Sequence, residues 1–146
     1  MTKKKFNEII SFVEEIRNAG FTQALIMGMG GSSLAPEVFR LTFGVKNGYL
    51  DLHVLDSTHP EAVLKYKKEL VASKTLYIVA TKSGGTIETI SFMKYFFNST
   101  LKKLGGEKAS QHFIAITDPG SGLEEMAKHL NFRKIFLNGK NGRFCV

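Results

Sequence analysis

Strand-length apolar runs and helical patterns alternate strictly along this chain, and that alternation restricts the fold more than any single residue does. The runs are "QALIMG" from Gln23, "LDLHVLD" from Leu50, "TLYIVAT" from Thr75, "HFIAITD" from His112 and "KIFLN" from Lys134. Each is rich in the branched and aromatic residues that strands favour. Helical periodicity fills the intervals, from Leu34 to Phe43, Pro60 to Leu70, Thr86 to Leu104 and Gly122 to Leu130. A leading helix over residues 6 to 19 places Phe6, Ile9, Ile10, Val13 and Ile16 on one face and stops at Gly20. Parallel neighbours need long crossovers, usually helices, so the alternation means parallel strands. The near-continuous apolar character of the runs agrees, because a parallel sheet is covered on both faces. The expected fold is therefore α/β, a three-layer doubly wound sandwich on a five-stranded parallel sheet. The stretch "KLGGEKAS" from Lys103 is read as its longest loop.

The 146 residues, 43% apolar and 23% charged, suit one domain over 1–146 with an ordinary core. No apolar run approaches the roughly 18 residues needed to span a bilayer, and charges interrupt the amino end too often for a secretory segment, so a cytoplasmic protein without membrane contact is expected. One cysteine, Cys145, and four scattered histidines supply neither an internal disulfide nor a metal-ligand cluster. No metal and no cofactor are expected. The formal charge of +7 asks for an anionic partner. The lysines are dispersed and no basic face is interleaved with aromatics, which argues against nucleic acid.

In doubly wound sheets ligands bind at the carboxyl ends of the strands. Two loops there carry chemistry. "GMGGSSLAPEV", Gly28 to Val38, follows the first strand. Gly30 and Gly31 let backbone N–H groups approach a ligand, and Ser32 and Ser33 add hydroxyls. Ser33 is a natural N-cap and Pro36 suits a first helical turn, so a helix end with free N–H groups and a positive dipole faces the space above the strand. "TKSGGTIET", Thr81 to Thr89, repeats the design after the third strand, with hydroxyls at Thr81, Ser83 and Thr86, flexibility at Gly84 and Gly85, and a cation at Lys82. The helix that follows has Ile87, Ile90, Met93, Phe97, Leu101 and Leu104 largely on one side. One such loop is as easily a tight turn as a site. Two of them on the same sheet edge suit one phosphate, held by hydroxyls, backbone donors and a single charge.

A Walker loop is excluded, since no lysine follows the glycines in G-x-x-x-x-G-K-[ST] spacing. A dinucleotide fingerprint is a closer rival: Gly28 to Ser33 fits G-x-G-x-x-G except for its last glycine, and Asp56 ends the second strand as a ribose-binding acid would. That alternative, an NAD-binding domain, leaves the second loop without a role. A flavin mononucleotide site lacks aromatic loops to sandwich the ring.

The two loops, in this order and on these strands, resemble the phosphate-side motifs of the glucose-6-phosphate isomerase family, in its amino-terminal sugar isomerase domain and closest to bacterial forms. The resemblance continues through "LHVLDSTHPEAV", "AITDPGSGLEEMAKHLNF" and "KIFLNGKNGRFCV", covering roughly residues 20 to 146. It implies a flavodoxin-like domain in which Ser32 touches the sugar phosphate and Thr81, Lys82, Ser83 and Thr86 form the phosphate cradle. Gly142 and Arg143 match the "G-R-[FY]" core of a later signature, whose arginine stabilises the enediolate; Lys140, Asn141 and Cys145 depart from that signature. The implied reaction interconverts glucose 6-phosphate and fructose 6-phosphate. The family's base glutamate, ring-opening histidine and later lysine lie beyond this chain, which implies a fragment that binds phosphate but is inactive alone. A second sugar isomerase domain and a homodimer are the implied partners. Related domains also serve as non-catalytic phosphosugar sensors, and that alternative stays open.

Overall fold

The computed structural model describes residues 3–139. Its elements run α1 (Lys3–Asn18), β1 (Gln23–Met27), α2 (Gly31–Phe43), β2 (Asp51–Leu55), α3 (Pro60–Glu69), a short 3-10 turn (Ala72–Lys74), β3 (Thr75–Ala80), α4 (Ile87–Leu104), α5 (Gly106–Ser110), β4 (Phe113–Thr117), α6 (Gly122–His129) and β5 (Lys134–Leu137). The five strands form one sheet in the order β2-β1-β3-β4-β5, and every neighbouring pair is parallel. This is the expected doubly wound α/β architecture.

Right-handed crossovers decide which helix covers which face. The steps β2→β3, β3→β4 and β4→β5 run one way across the sheet, so α3, α4 and α6 share a face; the step β1→β2 runs the other way, which sends α2 to the opposite side. Odd-numbered strand residues, Leu25, Met27, Tyr77, Val79, Phe113 and Ala115, meet Phe92, Met93 and Phe96 of α4 and Leu123 and Ala127 of α6 in the larger core. The Phe113 ring stacks on Tyr77 at 4.7 Å and meets Phe97 edge-on at 5.2 Å. On the other face, Phe12 and Ile16 of α1 pack against Leu76, Ile114, Ile78 and Phe136.

Several local expectations need correction. The stretch read as the longest loop holds a helical turn, α5, because Gly105 takes φ 85 at the end of α4 and lets the chain restart at once. The leading helix buries Phe12 and Ile16 but leaves Phe6, Ile9 and Ile10 exposed. In α4 the buried side is Thr89, Phe92, Met93, Phe96 and Thr100, turned from the expected face so that Ile87 lies 78% exposed. Helix α2 begins at Gly31, not Leu34, with Gly30 at the cap position. Ser33 is thus no N-cap: it sits inside the helix, 1% exposed, and donates its Oγ proton back to the Gly30 carbonyl at 2.9 Å. Pro36 then falls beyond the first turn, where it cannot donate the N–H that would reach the Ser32 carbonyl.

One stability prediction arises from the sheet's amino edge. His112 Nδ1 lies 2.9 Å from the Thr75 carbonyl, which only accepts, so Nδ1 carries the proton. Burial pushes the imidazole pKa down, the Thr75 carbonyl pulls it up, and the Arg133 charge adds to the lowering. A depressed histidine pKa means that the folded state prefers the neutral ring. Its contribution is complete above the unfolded value of about 6.5 and is lost as pH falls from there through the lower folded value. Urea midpoints at pH 5 and 7 should therefore fall further apart in the parent chain than in His112→Asn. Equal pH dependence would show that another group governs it.

Candidate functional site

Strand order reverses between β1 and β3, and the loops after these two strands flare apart at their carboxyl ends, as in other doubly wound sheets. A cleft of about 440 Å³ opens there, lined by Met29, Gly31 and Ser32 after β1, Ala80, Thr81, Lys82, Ser83 and Thr86 after β3, and Asp118 after β4. Such a volume suits a small metabolite. The structure thus brings together Ser32, Thr81, Lys82, Ser83 and Thr86, whereas Ser33, whose hydroxyl was also expected there, is turned back into α2 and does not line the cleft.

The glycines serve the loops in different ways. Gly31 lines the cleft, whereas Gly30 shapes the turn before it with φ 58. Gly84, at φ 71, presses against the start of α6: a Cβ there would stand 2.6 Å from the Leu123 nitrogen and 2.9 Å from that of Gly122. Gly85 has no such neighbour, and its N–H donates to Ser83 Oγ at 3.3 Å.

Proton counting shows which hydroxyls remain available. Thr81 and Thr86 bring their Oγ1 atoms to 3.0 Å, so one of the two protons is used between them. Thr81 is 4% exposed while Thr86 is half-buried, so Thr86 carries the more accessible hydroxyl of the pair. Ser83 accepts the Gly85 N–H and keeps its own proton, and Ser32 Oγ makes no hydrogen bond among the described residues. Lys82 is exposed, and its ammonium makes no ion pair among the described residues. Its backbone is nonetheless fixed, because its carbonyl accepts the Asp118 N–H at 3.2 Å.

Of the four helices that start at the carboxyl edge of the sheet, two are capped by side chains and two are not. Helix α3 is capped by His59, whose ring accepts the Glu61 N–H, and α6 by Ser121, whose hydroxyl accepts the Glu124 N–H at 3.1 Å. The two helices that start at the cleft, α2 and α4, have no side-chain cap. Contrary to the expectation for the first loop, the α2 start is largely satisfied by backbone, since the Ser32 N–H reaches the Met29 carbonyl at 3.3 Å and those of Ser33 and Leu34 the Gly30 carbonyl at 3.0 Å. At α4 the Ile87, Glu88 and Thr89 N–H groups make no hydrogen bond among the described residues, and both helices turn a positive dipole end toward the cleft, which is what anions are attracted to.

Asp118 was missed in the sequence, although its place after the fourth apolar run is where this class of sheet puts ligand contacts. Arg143, with Gly142, lies outside the described residues. Asp56, the acid of the dinucleotide alternative, is not among the residues lining the cleft.

An all-parallel sheet in this order, with a hydroxyl-lined cleft at its switch point, defines a doubly wound α/β domain. The profile of the phosphoglucose isomerase family matches residues 3–146, and the chain belongs to that family. It is 33% identical over 130 residues to the glucose-6-phosphate isomerase of a Cyanothece species, covering 85% of this chain and 23% of that protein. To the glucose-6-phosphate isomerase of Campylobacter jejuni it is 28% identical over 124 residues, covering 84% of this chain and 30% of that one. The crystal structure of a glucose-6-phosphate isomerase from Chlamydia trachomatis superposes with a TM-score of 0.78 over 94% of this chain and 27% of that one; at 22% identity this is a likeness of fold. The chain spans about a quarter of the length of the curated relatives it matches. Among the described residues, no helix is long and apolar enough to cross a membrane.

Proposed function

We propose that this chain is the phosphate-binding sugar isomerase domain of a cytoplasmic glucose-6-phosphate isomerase. The observation that carries the reading is the pair of uncapped helix ends, α2 and α4, facing one cleft with Ser32, Ser83, Thr86 and Lys82. A phosphate monoester is an acceptor with two negative charges, and it matches a site made of hydroxyl protons, backbone N–H groups and one ammonium.

In the complete enzyme, glucose 6-phosphate and fructose 6-phosphate interconvert by ring opening and proton movement between C2 and C1 through a cis-enediolate. Holding the phosphate fixes the far end of the sugar and so the position of C1 and C2 relative to a base. Arg143 is the partner proposed for the developing oxyanion. No described residue takes the part of the base, so the chain by itself binds the phosphate and catalyses nothing. A second sugar isomerase domain and a homodimeric partner complete the site. Leu34, Val38, Leu41 and Phe43 on α2, all largely exposed, are surface of the kind that larger assemblies cover.

The test is an amide-resolved NMR titration with fructose 6-phosphate, plain fructose and NAD. Shifts at Gly30 to Leu34 and Thr81 to Ile87 with fructose 6-phosphate, and none with fructose, are expected. A response led by NAD around Gly28 and Asp56 would replace the isomerase reading with the dinucleotide one. Thr86→Val removes the more accessible hydroxyl of the threonine pair at nearly constant volume. It should weaken fructose 6-phosphate by about 1 kcal/mol or more at all salt concentrations, and unchanged affinity would remove Thr86 from the site.

A further inference from the structure

Asp118 stands apart from the rest of the cleft lining. Ser32, Thr81, Ser83 and Thr86 bring hydroxyls and Lys82 an ammonium, whereas Asp118 brings the one carboxylate lining the cleft among the described residues. An ionised carboxylate only accepts hydrogen bonds, and beside a bound phosphate it repels. A phosphate-only site gains nothing from it.

Its position is held at three points. The Asp118 N–H donates to the Lys82 carbonyl at 3.2 Å, its carbonyl accepts the Ser121 N–H at 3.3 Å, and its Oδ1 accepts from Asn138 Nδ2 at 2.7 Å. The other carboxylate oxygen, Oδ2, makes no hydrogen bond among the described residues. The cleft wall therefore carries a fixed acceptor next to a set of donors. A ligand that satisfies both carries a hydrogen-bond donor as well as a phosphate, and in a sugar phosphate that donor is a hydroxyl.

We propose that Asp118 is a specificity-determining residue, whose carboxylate accepts a hydrogen bond from a sugar hydroxyl and discriminates against phosphomonoesters that have none. The inference rests on the reading of the cleft as a phosphosugar site. It assigns the β4 loop to the sugar and leaves the β1 and β3 loops to the phosphate.

Asp118→Asn keeps the side-chain shape and the oxygen that holds Asn138, and removes the charge. The 146-residue chain is titrated with fructose 6-phosphate and with methyl phosphate, which has the phosphomonoester charge and no hydroxyl. Dissociation constants are read from the amides of Gly31 and Ser83. In Asp118→Asn, methyl phosphate should bind more tightly and fructose 6-phosphate more weakly, changing the ratio of the two constants by about tenfold. Equal tightening of both ligands, or no change in either, would overturn the assignment. A parent chain that binds the two ligands equally would overturn it too while leaving the phosphate cleft intact. A parent chain that binds neither would remove the phosphosugar reading and this inference together.

Discussion

Replacing Gly84 by alanine is expected to cost the fold at least about 2 kcal/mol, and to weaken phosphosugar binding beyond what the lost stability explains. Two effects act at the same atom. A φ of 71 is strained for any residue with a Cβ, and that Cβ would stand 2.6 Å from the Leu123 nitrogen and 2.9 Å from both the Gly122 nitrogen and Ser121 Cβ. None of these is the free end of a flexible side chain. They belong to the capped start of α6, where Ser121 Oγ is bonded to Thr117 Oγ1 at 2.7 Å and accepts the Glu124 N–H. The clash is therefore relieved by moving the β3–α4 loop, which carries Lys82, Ser83 and Thr86. Gly85→Ala is the control, because the nearest atom to its Cβ is Ser83 Oγ at 3.9 Å and no positive φ is involved. It should stay within about 0.5 kcal/mol of the parent. Urea midpoints and fructose 6-phosphate affinities of the two variants decide the matter. Two variants that behave alike would mean that the loop is not held against α6.

Most of this architecture was readable in the residues, and the parts that were not have specific reasons. Apolar runs that tolerate cover on both faces identified the strands, and β1 to β5 lie within a residue or two of those runs at each end. Helix faces were harder. In α4 threonines at 89 and 100 are fully buried while Ile87 and Leu101 face outward, so apolar periodicity alone points to the wrong side. Helix α2 is apolar nearly all round, and only Ser33 is buried among its residues. The N-cap at Ser33 was misplaced for a related reason: Gly30 adopts φ 58 and starts the helix three residues early, a backbone choice the glycines permit without announcing it. Within the cleft, loop composition was enough to gather Ser32, Thr81, Lys82, Ser83 and Thr86. Asp118 was legible only by its position after the fourth apolar run; that it reaches the same cleft depends on β4 lying next to β3, and its fixed orientation on Asn138 reaching back across the sheet end. Which of the two threonine protons is free likewise depends on a 3.0 Å contact between residues five apart.

Lys82→Met should produce the largest loss of ligand affinity, roughly ten- to a hundredfold for fructose 6-phosphate at low ionic strength. The lysine is the one cation lining the cleft among the described residues, and charge-assisted hydrogen bonds contribute about 1.5 to 3 kcal/mol. The folded chain has little at stake, since the side chain is exposed and only the Lys82 backbone is tied in, through its carbonyl to the Asp118 N–H. Unfolding midpoints of variant and parent should then agree. Salt separates a charge effect from a packing effect. Raising ionic strength shortens the screening length from about 30 Å at 0.01 M to about 10 Å at 0.1 M, so the parent's affinity should fall while the variant's barely moves and the gap between them narrows. Thr86→Val, which removes a hydrogen bond and no charge, should keep a constant gap across the same series. A Lys82→Met chain that binds within twofold of the parent would place the phosphate away from the β3–α4 loop. A gap that ignores salt would instead assign the methylene stem of Lys82 to packing and leave the helix N–H groups and hydroxyls to hold the anion.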